Sequence, residues 1–240
     1  MDVGGDTWPG ADRRAPSRSL PSWVVRAPLA DWLQAEARAA AGRREGLRVL
    51  DVGCGVKPYY PFFAPWADSY VGVNVVENPQ ADLLGPAEAL PVEDASFDVV
   101  LCNQVLEHAD DPAQVVRELR RVAAPGGVVL ASTHGVQVYH PSPVDLWRWT
   151  HEGLRRLFES AGEWTSLAVR PGAGSAATLG MLLGTYAHLL AKRLHAPAAA
   201  RPVIAALNAG CAALDRTVPL LRGTGPGTLV ANYHVTAVKP

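Results

Sequence analysis

The stretch that decides the fold is residues 47–55, which read LRVLDVGCG. Its first six residues form a short apolar run rich in β-branched side chains, which is typical of a strand buried in a parallel sheet. Gly53 and Gly55 follow at once, and glycine there allows a tight turn and the close approach of a ligand to the backbone. Since α/β folds bind nucleotides at the carboxyl ends of parallel strands, the stretch predicts a strand that delivers Asp51 and a glycine loop to a ligand site.

The sequence around this stretch alternates strand and helix patterns. This alternation predicts an α/β fold, doubly wound around a mostly parallel Rossmann-like sheet, with a helical insertion near the C-terminus. Further strands are expected at 69–74, 81–84, 97–103, 127–133, 164–170 and 228–238. Helices are expected at 28–42, 112–123, 151–161, 175–195 and 201–215. Only residues 75–81 separate the second and third strands, so we expect the usual crossover helix to be missing there.

Composition narrows the classes of function. The 240 residues carry 22 basic and 23 acidic side chains, a net charge of -1, which argues against nucleic acid as a partner. The charge is uneven, because residues 47–135 carry -7 and residues 136–240 carry +5. The three cysteines have neither metal-ligand nor disulfide spacing, so we expect no metal site and a reducing, cytoplasmic setting.

Three further segments follow the glycine motif in order. They read YVGVN (70–74), AEALPVEDASFDVVLCNQVLEH (87–108) and ELRRVAAPGGVVLAST (118–133). The set resembles the class I S-adenosylmethionine-dependent methyltransferase family, in its small-molecule, methyltransferase type 11-like branch. The likeness is close over 47–135 and looser to about residue 162. It implies that S-adenosylmethionine is the cofactor and that a small-molecule acceptor is methylated.

The resemblance also implies roles for individual residues. Gly53, Cys54 and Gly55 would pass beneath the methionine part of the cofactor, and Asp51 would order that loop or meet the amino group through water. An acidic pocket suits the positive charges of the cofactor, which helps to explain the -7 segment. Further cofactor contacts are expected from Lys57, Asn74, Ala87, Glu88 and Asn103.

Three positions depart from the family pattern. Asn74 replaces the usual acid on the ribose hydroxyls, Pro86 stands where an acid is common, and Lys57 occupies the place of a third glycine. Lys57 is expected to reach the cofactor carboxylate instead. These departures keep open an alternative, a non-catalytic methyltransferase-like binding subunit. A nicotinamide-dependent oxidoreductase is disfavoured, because residues 53–58 read GCGVKP and lack the last glycine of that fingerprint.

Methyl transfer needs a base only when the acceptor carries a proton. His108, His134 and His140 are the candidate bases, although His108 suits a helix cap or a backbone hydrogen bond equally well. O-methylation of a sugar, a secondary metabolite or a lipid-linked intermediate is the leading expectation, with N- and C-methylation open. Acceptor contacts are expected from a flap that carries Tyr139, Asp145, Trp147 and Arg148, and the alternative for Trp147 is packing on the sheet.

The pattern divides the chain into three parts. Residues 1–22 are rich in Pro, Gly, Ser and Arg, lack the apolar core of a signal peptide, and are expected to form a flexible tail. Residues 23–170 and 228–240 would form the methyltransferase domain. Residues 171–227 would form the helical insertion, which is buried against the domain or serves as a lid, a homodimer surface or a peripheral membrane contact. Its 171–191 run has no Asp, Glu, Lys or Arg, but its glycines, threonines and histidine favour a buried or surface helix over a membrane span.

Overall fold

A computed structural model describes residues 8–139, 141 and 143–240. Within them, one sheet of seven strands has the order β3-β2-β1-β4-β5-β7-β6. The strands are β1 (Leu47–Val52), β2 (Ala67–Asn74), β3 (Leu83–Leu84), β4 (Phe97–Asn103), β5 (Ala123–His134), β6 (Ser166–Pro171) and β7 (Asn232–Val238). All neighbours are parallel except β7, which runs antiparallel to both β5 and β6. The expected α/β fold is confirmed.

Seven α-helices accompany the sheet in the described residues. They are α1 (Ala11–Arg14), α2 (Trp23–Ala41), α3 (Tyr60–Phe63), α4 (Pro112–Val122), α5 (His151–Glu159), α6 (Ser175–Arg193) and α7 (Arg201–Thr217). Side-chain caps fix two of the predicted starts, since Asp111 accepts a hydrogen bond from the Gln114 N–H at 3.0 Å and Thr150 accepts one from the Gly153 N–H at 3.1 Å. Helix α2 begins at Trp23 rather than at the predicted Pro28, because the preceding turn also buries apolar side chains.

The sheet lies between two apolar layers. Adjacent residues of β1 face opposite layers: Val49 packs with Leu33 of α2, whereas Leu50 belongs to the layer of Leu119 and Phe158 from α4 and α5. Burial on both faces explains why the strand reads as a continuous apolar run.

Two other sequence expectations have different outcomes. The short 75–81 connection joins β2 to its parallel neighbour β3 without a helix, as predicted. Residues 8–22, expected to form part of a flexible tail, instead pack on the domain. The Trp8 indole N–H donates to the Lys57 carbonyl at 2.8 Å, and a guanidinium N–H of Arg14 donates to the Pro58 carbonyl at 2.6 Å.

The order of strands reverses between β1 and β4, and their carboxyl ends lie at the same edge of the sheet. Gly53 continues from β1 and Gln104 continues from β4 at this edge. A reversal of this kind opens a crevice between the two strands, which is where doubly wound sheets bind their ligands.

Candidate active site

A cavity of about 700 Å³ opens at the carboxyl ends of β1 and β4. Its volume lies within the range of small-molecule sites. Its lining comes from residues 51–55 and 103–108, from residues 13–29 and from α6, and the last two pack on each other through Val25 and Met181. The predicted glycine loop therefore forms part of a closed-in site rather than a simple turn.

The two glycines of the loop are required for different reasons. Gly53 has φ 68°, and a β-carbon there would lie 2.4 Å from Cγ2 of Val105, so this glycine is needed for folding. Gly55 has φ 48°, and a β-carbon there would meet no atom within 4 Å. Gly55 thus keeps open a space in the cavity that a ligand can occupy. Cys54 lies between them, buried and on the cavity wall, and burial raises the pKa of its thiol to about 12, so it is not a nucleophile.

Asp51 is a buried acid on the cavity wall. The Tyr70 hydroxyl donates a hydrogen bond to its Oδ2 at 2.8 Å. Burial raises the pKa of Asp51 to about 6, while the Tyr70 hydrogen bond and the positive charges of Lys57 and Arg13 act in the opposite direction. A carboxylate held in this way favours a positively charged ligand, because such a ligand replaces the interactions with water that burial removed.

Asn103 supplies an unpaired donor at the end of β4. Its Oδ1 accepts a hydrogen bond from the Ser132 hydroxyl at 3.0 Å, which fixes the orientation of the amide. Its Nδ2 is buried without a partner in the described structure and lies on the cavity wall. A buried polar atom without a partner is costly, so this donor is suited to a ligand acceptor.

Lys57 has a different role from the expected one. Its buried ammonium donates to Asp82 Oδ2 at 2.5 Å, and the same oxygen accepts a hydrogen bond from the Gly72 N–H at 2.6 Å. This ion pair holds the start of β3, and Lys57 lies outside the described lining of the cavity, so the structure does not support the expected contact with the cofactor carboxylate, which stays a prediction. Two arginines line the cavity: Arg26 pairs with Asp12 at 2.6 Å, whereas the charge of Arg13, in the segment expected to be flexible, acts to lower the pKa of Asp51.

The remaining expected cofactor residues lie at the same sheet edge but outside the described lining of this cavity. Asn74 at the end of β2 donates from its side chain to the Val76 carbonyl at 2.6 Å. Ala87 is buried, and the Glu88 carbonyl accepts a hydrogen bond from the Gln114 side chain at 3.1 Å. Their assignment to the adenosine half of the cofactor stays a prediction.

A buried acid and a histidine form a second polar centre in the cavity. Glu107 Oε1 lies 3.4 Å from His134 Nε2, and the Thr133 hydroxyl donates to Glu107 Oε2 at 2.8 Å. Burial raises the pKa of Glu107 to about 7, although the Thr133 hydrogen bond acts to lower it. Both Glu107 and His134 line the cavity, so an acid–base pair faces the same space as the glycine loop.

Comparison with known proteins identifies this architecture. A family model described as a methyltransferase domain matches residues 25–170, which is more than half of the chain. The chain belongs to the methyltransferase domain family. This assignment gives it S-adenosylmethionine as cofactor and confirms the resemblance found in the sequence.

Individual relatives agree with the assignment. The chain is 34% identical to a ubiquinone biosynthesis O-methyltransferase of Bordetella bronchiseptica over 42% of this chain and 47% of the relative. It is 32% identical to a malonyl-[acyl-carrier protein] O-methyltransferase of Erwinia billingiae over 54% of this chain and 57% of the relative. The chain thus matches only about half of each relative's length. A crystal structure of a putative methyltransferase from Bacillus halodurans shares the fold, with a TM-score of 0.52 and 17% identity over 86% of this chain and 98% of that one.

The cavity of this methyltransferase suits that cofactor. Gly55 leaves space beside the backbone, Asp51 presents a carboxylate for an ammonium group, and Asn103 presents an unpaired amide donor. Arg13 adds the positive charge that a carboxylate needs. These residues supply complementary partners for the aminocarboxylate end of S-adenosylmethionine.

The flap of the methyltransferase is bound to the loop that carries Glu107. The Trp147 indole donates to the Ala109 carbonyl at 2.8 Å, and His108 donates from Nδ1 to the Val144 carbonyl. His108 lines the cavity, but this backbone contact favours the alternative role stated for it. Another candidate base, His140, lies outside the described residues.

The expected acceptor residues of the flap mainly hold the flap together. Asp145 and Arg148 form an ion pair, with 2.6 Å between Arg148 Nη2 and Asp145 Oδ2. Trp147 stacks on Trp149 with ring centroids 5.7 Å apart, which is a contact within the flap. Tyr139 is exposed, and none of these residues belongs to the described lining of the cavity. The geometry therefore does not support direct acceptor contacts for Tyr139, Asp145, Trp147 and Arg148.

One face of α6 forms a wall of the cavity next to the N-terminal segment, on which the helix packs. Met181, Thr185 and His188 lie on this face and line the cavity together with Gln137. His188 Nδ1 is buried and has no partner in the described structure. Sequence reasoning missed this wall because the likeness to the family ends before it, whereas Glu107 lay in a recognised segment and was overlooked.

Proposed function

We propose that this methyltransferase transfers a methyl group from S-adenosylmethionine to a hydroxyl oxygen of a small-molecule acceptor, with His134 as the general base. The observation that carries the proposal is the Glu107–His134 pair, which faces the same cavity as the glycine loop. Similarity to two relatives that are O-methyltransferases supports oxygen as the accepting atom.

Residues near β1 would hold the cofactor. The ammonium group would meet Asp51, the carboxylate would meet Arg13 and the Asn103 amide, and Gly55 would leave room for the backbone approach. When bound, the cofactor supplies a methyl group on a positively charged sulfur that leaves readily. The remaining task of the protein is to align the acceptor, exclude water and remove one proton.

The Glu107–His134 pair is suited to removing that proton. Glu107 Oε1 lies 3.4 Å from His134 Nε2, so the acid and the ring can share a proton across this contact. The carboxylate also stabilises the imidazolium that forms when the acceptor hydroxyl gives up its proton. The Thr133 hydroxyl keeps Glu107 in place for both roles.

The acceptor would lie against the N-terminal segment and α6, which are neighbours in the cavity lining. Leu20, Val25 and Met181 make this space partly apolar, while Gln137 and His188 offer polar groups. Such a lining favours an acceptor that combines a hydroxyl with an apolar portion, which a secondary metabolite or a lipid-linked intermediate satisfies better than a free sugar.

The test compares His134→Gln and Glu107→Gln with the wild-type protein. Methyl transfer to a panel of hydroxylated acceptors is followed by release of S-adenosylhomocysteine, and binding of S-adenosylhomocysteine is measured by calorimetry. We expect His134→Gln to lower kcat by roughly 100-fold or more while the affinity stays within about twofold. His151→Gln serves as the matched control, since His151 lies outside the described lining of the cavity. Full activity of His134→Gln would refute the base assignment, and cofactor binding without transfer to any acceptor would favour a non-catalytic binding subunit.

A further inference from the structure

Helix α6 carries a row of exposed apolar side chains on the side away from the cavity. Leu179, Leu183, Tyr186 and Leu190 are between 49% and 66% exposed. At 100° per residue these four positions fall within an arc of about 60°. Met181, Thr185 and His188 lie on the opposite side of the same helix, where they face the cavity. One helix therefore presents one face to the active site and the other to solvent.

Helix α7 extends this apolar surface. It runs antiparallel to α6, since Gly180 lies against Cys211 and Gly184 lies against Ile204. Val203 and Leu214 are exposed on α7. Each helix has one face that contacts the other helix. Around each helix axis, followed in chain direction, the exposed row lies about 90° from that contact face, and in the same direction in both helices. Antiparallel packing therefore places both rows on one side of the hairpin.

The charges around this surface have one sign. No Asp or Glu occurs between Glu163 and Asp215, a stretch that contains Lys192, Arg193 and Arg201. These three cations lie at the turn between α6 and α7 and are exposed. The acid of the hairpin, Asp215, is buried, so a homodimer interface built from this surface would offer these cations no exposed acidic partner, whereas a negatively charged surface would pair with them.

We propose that the exposed side of the α6–α7 hairpin is a docking surface for the anionic lipid headgroups and outer acyl region of a membrane. Leucine and tyrosine side chains would enter the interface, and the cations at the turn would contact lipid phosphates. The cavity would then open close to the membrane, because α6 forms its wall. The proposal does not depend on which acceptor the enzyme uses.

Contacts within the protein favour docking over insertion. Among the described residues, the segment Pro197–Thr217 is long and apolar enough to cross a membrane, by length and composition. However, the Asp215 carboxylate in α7 accepts hydrogen bonds from the backbone N–H groups of Ala176 and Ala177 at 3.0 Å each. Asn208 donates to the carbonyls of Arg18 and Leu20. A span would have to break these contacts, whereas surface docking preserves them.

The test is flotation of the full chain with phosphatidylcholine vesicles prepared with and without phosphatidylglycerol. We expect binding that depends on the anionic lipid and weakens with salt. Leu183→Ser/Tyr186→Ser should lower the partition coefficient at least about tenfold through lost apolar burial. Lys192→Gln/Arg193→Gln should lower it roughly 30-fold, from the attraction of two cations to the surface.

Matched controls separate the surface from general effects of substitution. Leu84→Ser removes a similarly exposed leucine from the opposite edge of the sheet, and Arg38→Gln/Arg43→Gln removes two exposed cations from the end of α2 and the turn that follows it. Both should bind vesicles like the wild-type protein, and all variants should bind S-adenosylhomocysteine normally. Absence of vesicle binding, or binding that the α6 variants leave unchanged, would overturn the proposal. Self-association lost in Leu183→Ser/Tyr186→Ser, without vesicle binding, would assign the surface to a second copy instead.

Discussion

Substitution of Asp51 by asparagine should stabilise the free protein while it weakens cofactor binding. Burial raises the pKa of Asp51 from 3.8 to about 6, against the effects of Tyr70, Lys57 and Arg13. Because the pKa of Asp51 is higher in the folded than in the unfolded state, the contribution of Asp51 to the free energy of unfolding is fully present below about pH 3.8 and is lost as the pH rises through about 6. The difference of about two pKa units corresponds to about 3 kcal/mol.

We therefore expect Asp51→Asn to raise the free energy of unfolding at about pH 8 by up to about 3 kcal/mol relative to its effect at about pH 4. Tyr70 remains able to donate to the asparagine carbonyl, so the local hydrogen bond survives. Urea unfolding at both pH values, followed by tryptophan fluorescence, measures this difference. Calorimetry at the higher pH should show S-adenosylhomocysteine binding weakened by about tenfold or more, since a charge-assisted hydrogen bond is lost.

Asp98 provides a control with the opposite sign. Burial acts to raise the pKa of Asp98, but hydrogen bonds from Arg48 and the nearby charges of Arg48 and Arg44 lower it overall. Its stabilising contribution is present above the unfolded pKa and is lost as the pH falls through the folded one. Asp98→Asn should thus destabilise the protein at about pH 8. If Asp51→Asn destabilises it in the same way, Asp51 is a structural ion-pair residue and the reasoning fails.

Three further predictions concern the cavity. Gly55→Ala should weaken S-adenosylhomocysteine binding and lower the free energy of unfolding by roughly 1–2 kcal/mol. Gly53→Ala should lower it more, because its β-carbon meets Val105. Calorimetry and urea unfolding compare the two variants, and equal effects would contradict the distinction. Arg13→Met should weaken binding of S-adenosylhomocysteine about tenfold but leave the affinity for methylthioadenosine, which lacks the carboxylate, unchanged. Equal losses of affinity for both ligands would show that Arg13 does not contact the carboxylate. The rate of methyl transfer should rise with pH through about 7, where Glu107 ionises, and this step should disappear in Glu107→Gln; a step retained in the variant would belong to another group.

Local sequence patterns were sufficient for the parallel core. The 47–55 stretch identified the strand, the loop and Asp51 because one short run carries both the strand signal and the glycines. The 75–81 gap predicted a missing helix because chain length alone limits what can connect two parallel strands. Helix starts at Asp111 and Thr150 were close to their predicted places, since a cap acts within one turn.

Contacts between distant segments were not accessible in the same way. From the sequence alone, the Lys57 ammonium could pair either with a ligand or with an acid far away in the chain. The folded structure shows that it donates a hydrogen bond to Asp82. Arg13 lay in a segment whose composition favoured disorder, because the contacts that order it, such as Trp8 with the Lys57 carbonyl, join residues far apart in sequence. The Asp145–Arg148 pair had the chemistry of a substrate site, yet the two side chains satisfy each other.

Helix α6 explains why the insertion was hardest to interpret. Its cavity face and its solvent face are both largely uncharged, so no amphipathic pattern distinguished burial, a lid and a membrane contact. The structure shows that one helix serves the cavity with Met181 and His188 while it exposes Leu183 and Tyr186 on the other side. The family match covers residues 25–170, so this wall lies outside the part of the chain that the match describes. Acceptor choice and membrane contact would then change together through a single helix, whereas the acidic 47–135 segment retains the cofactor.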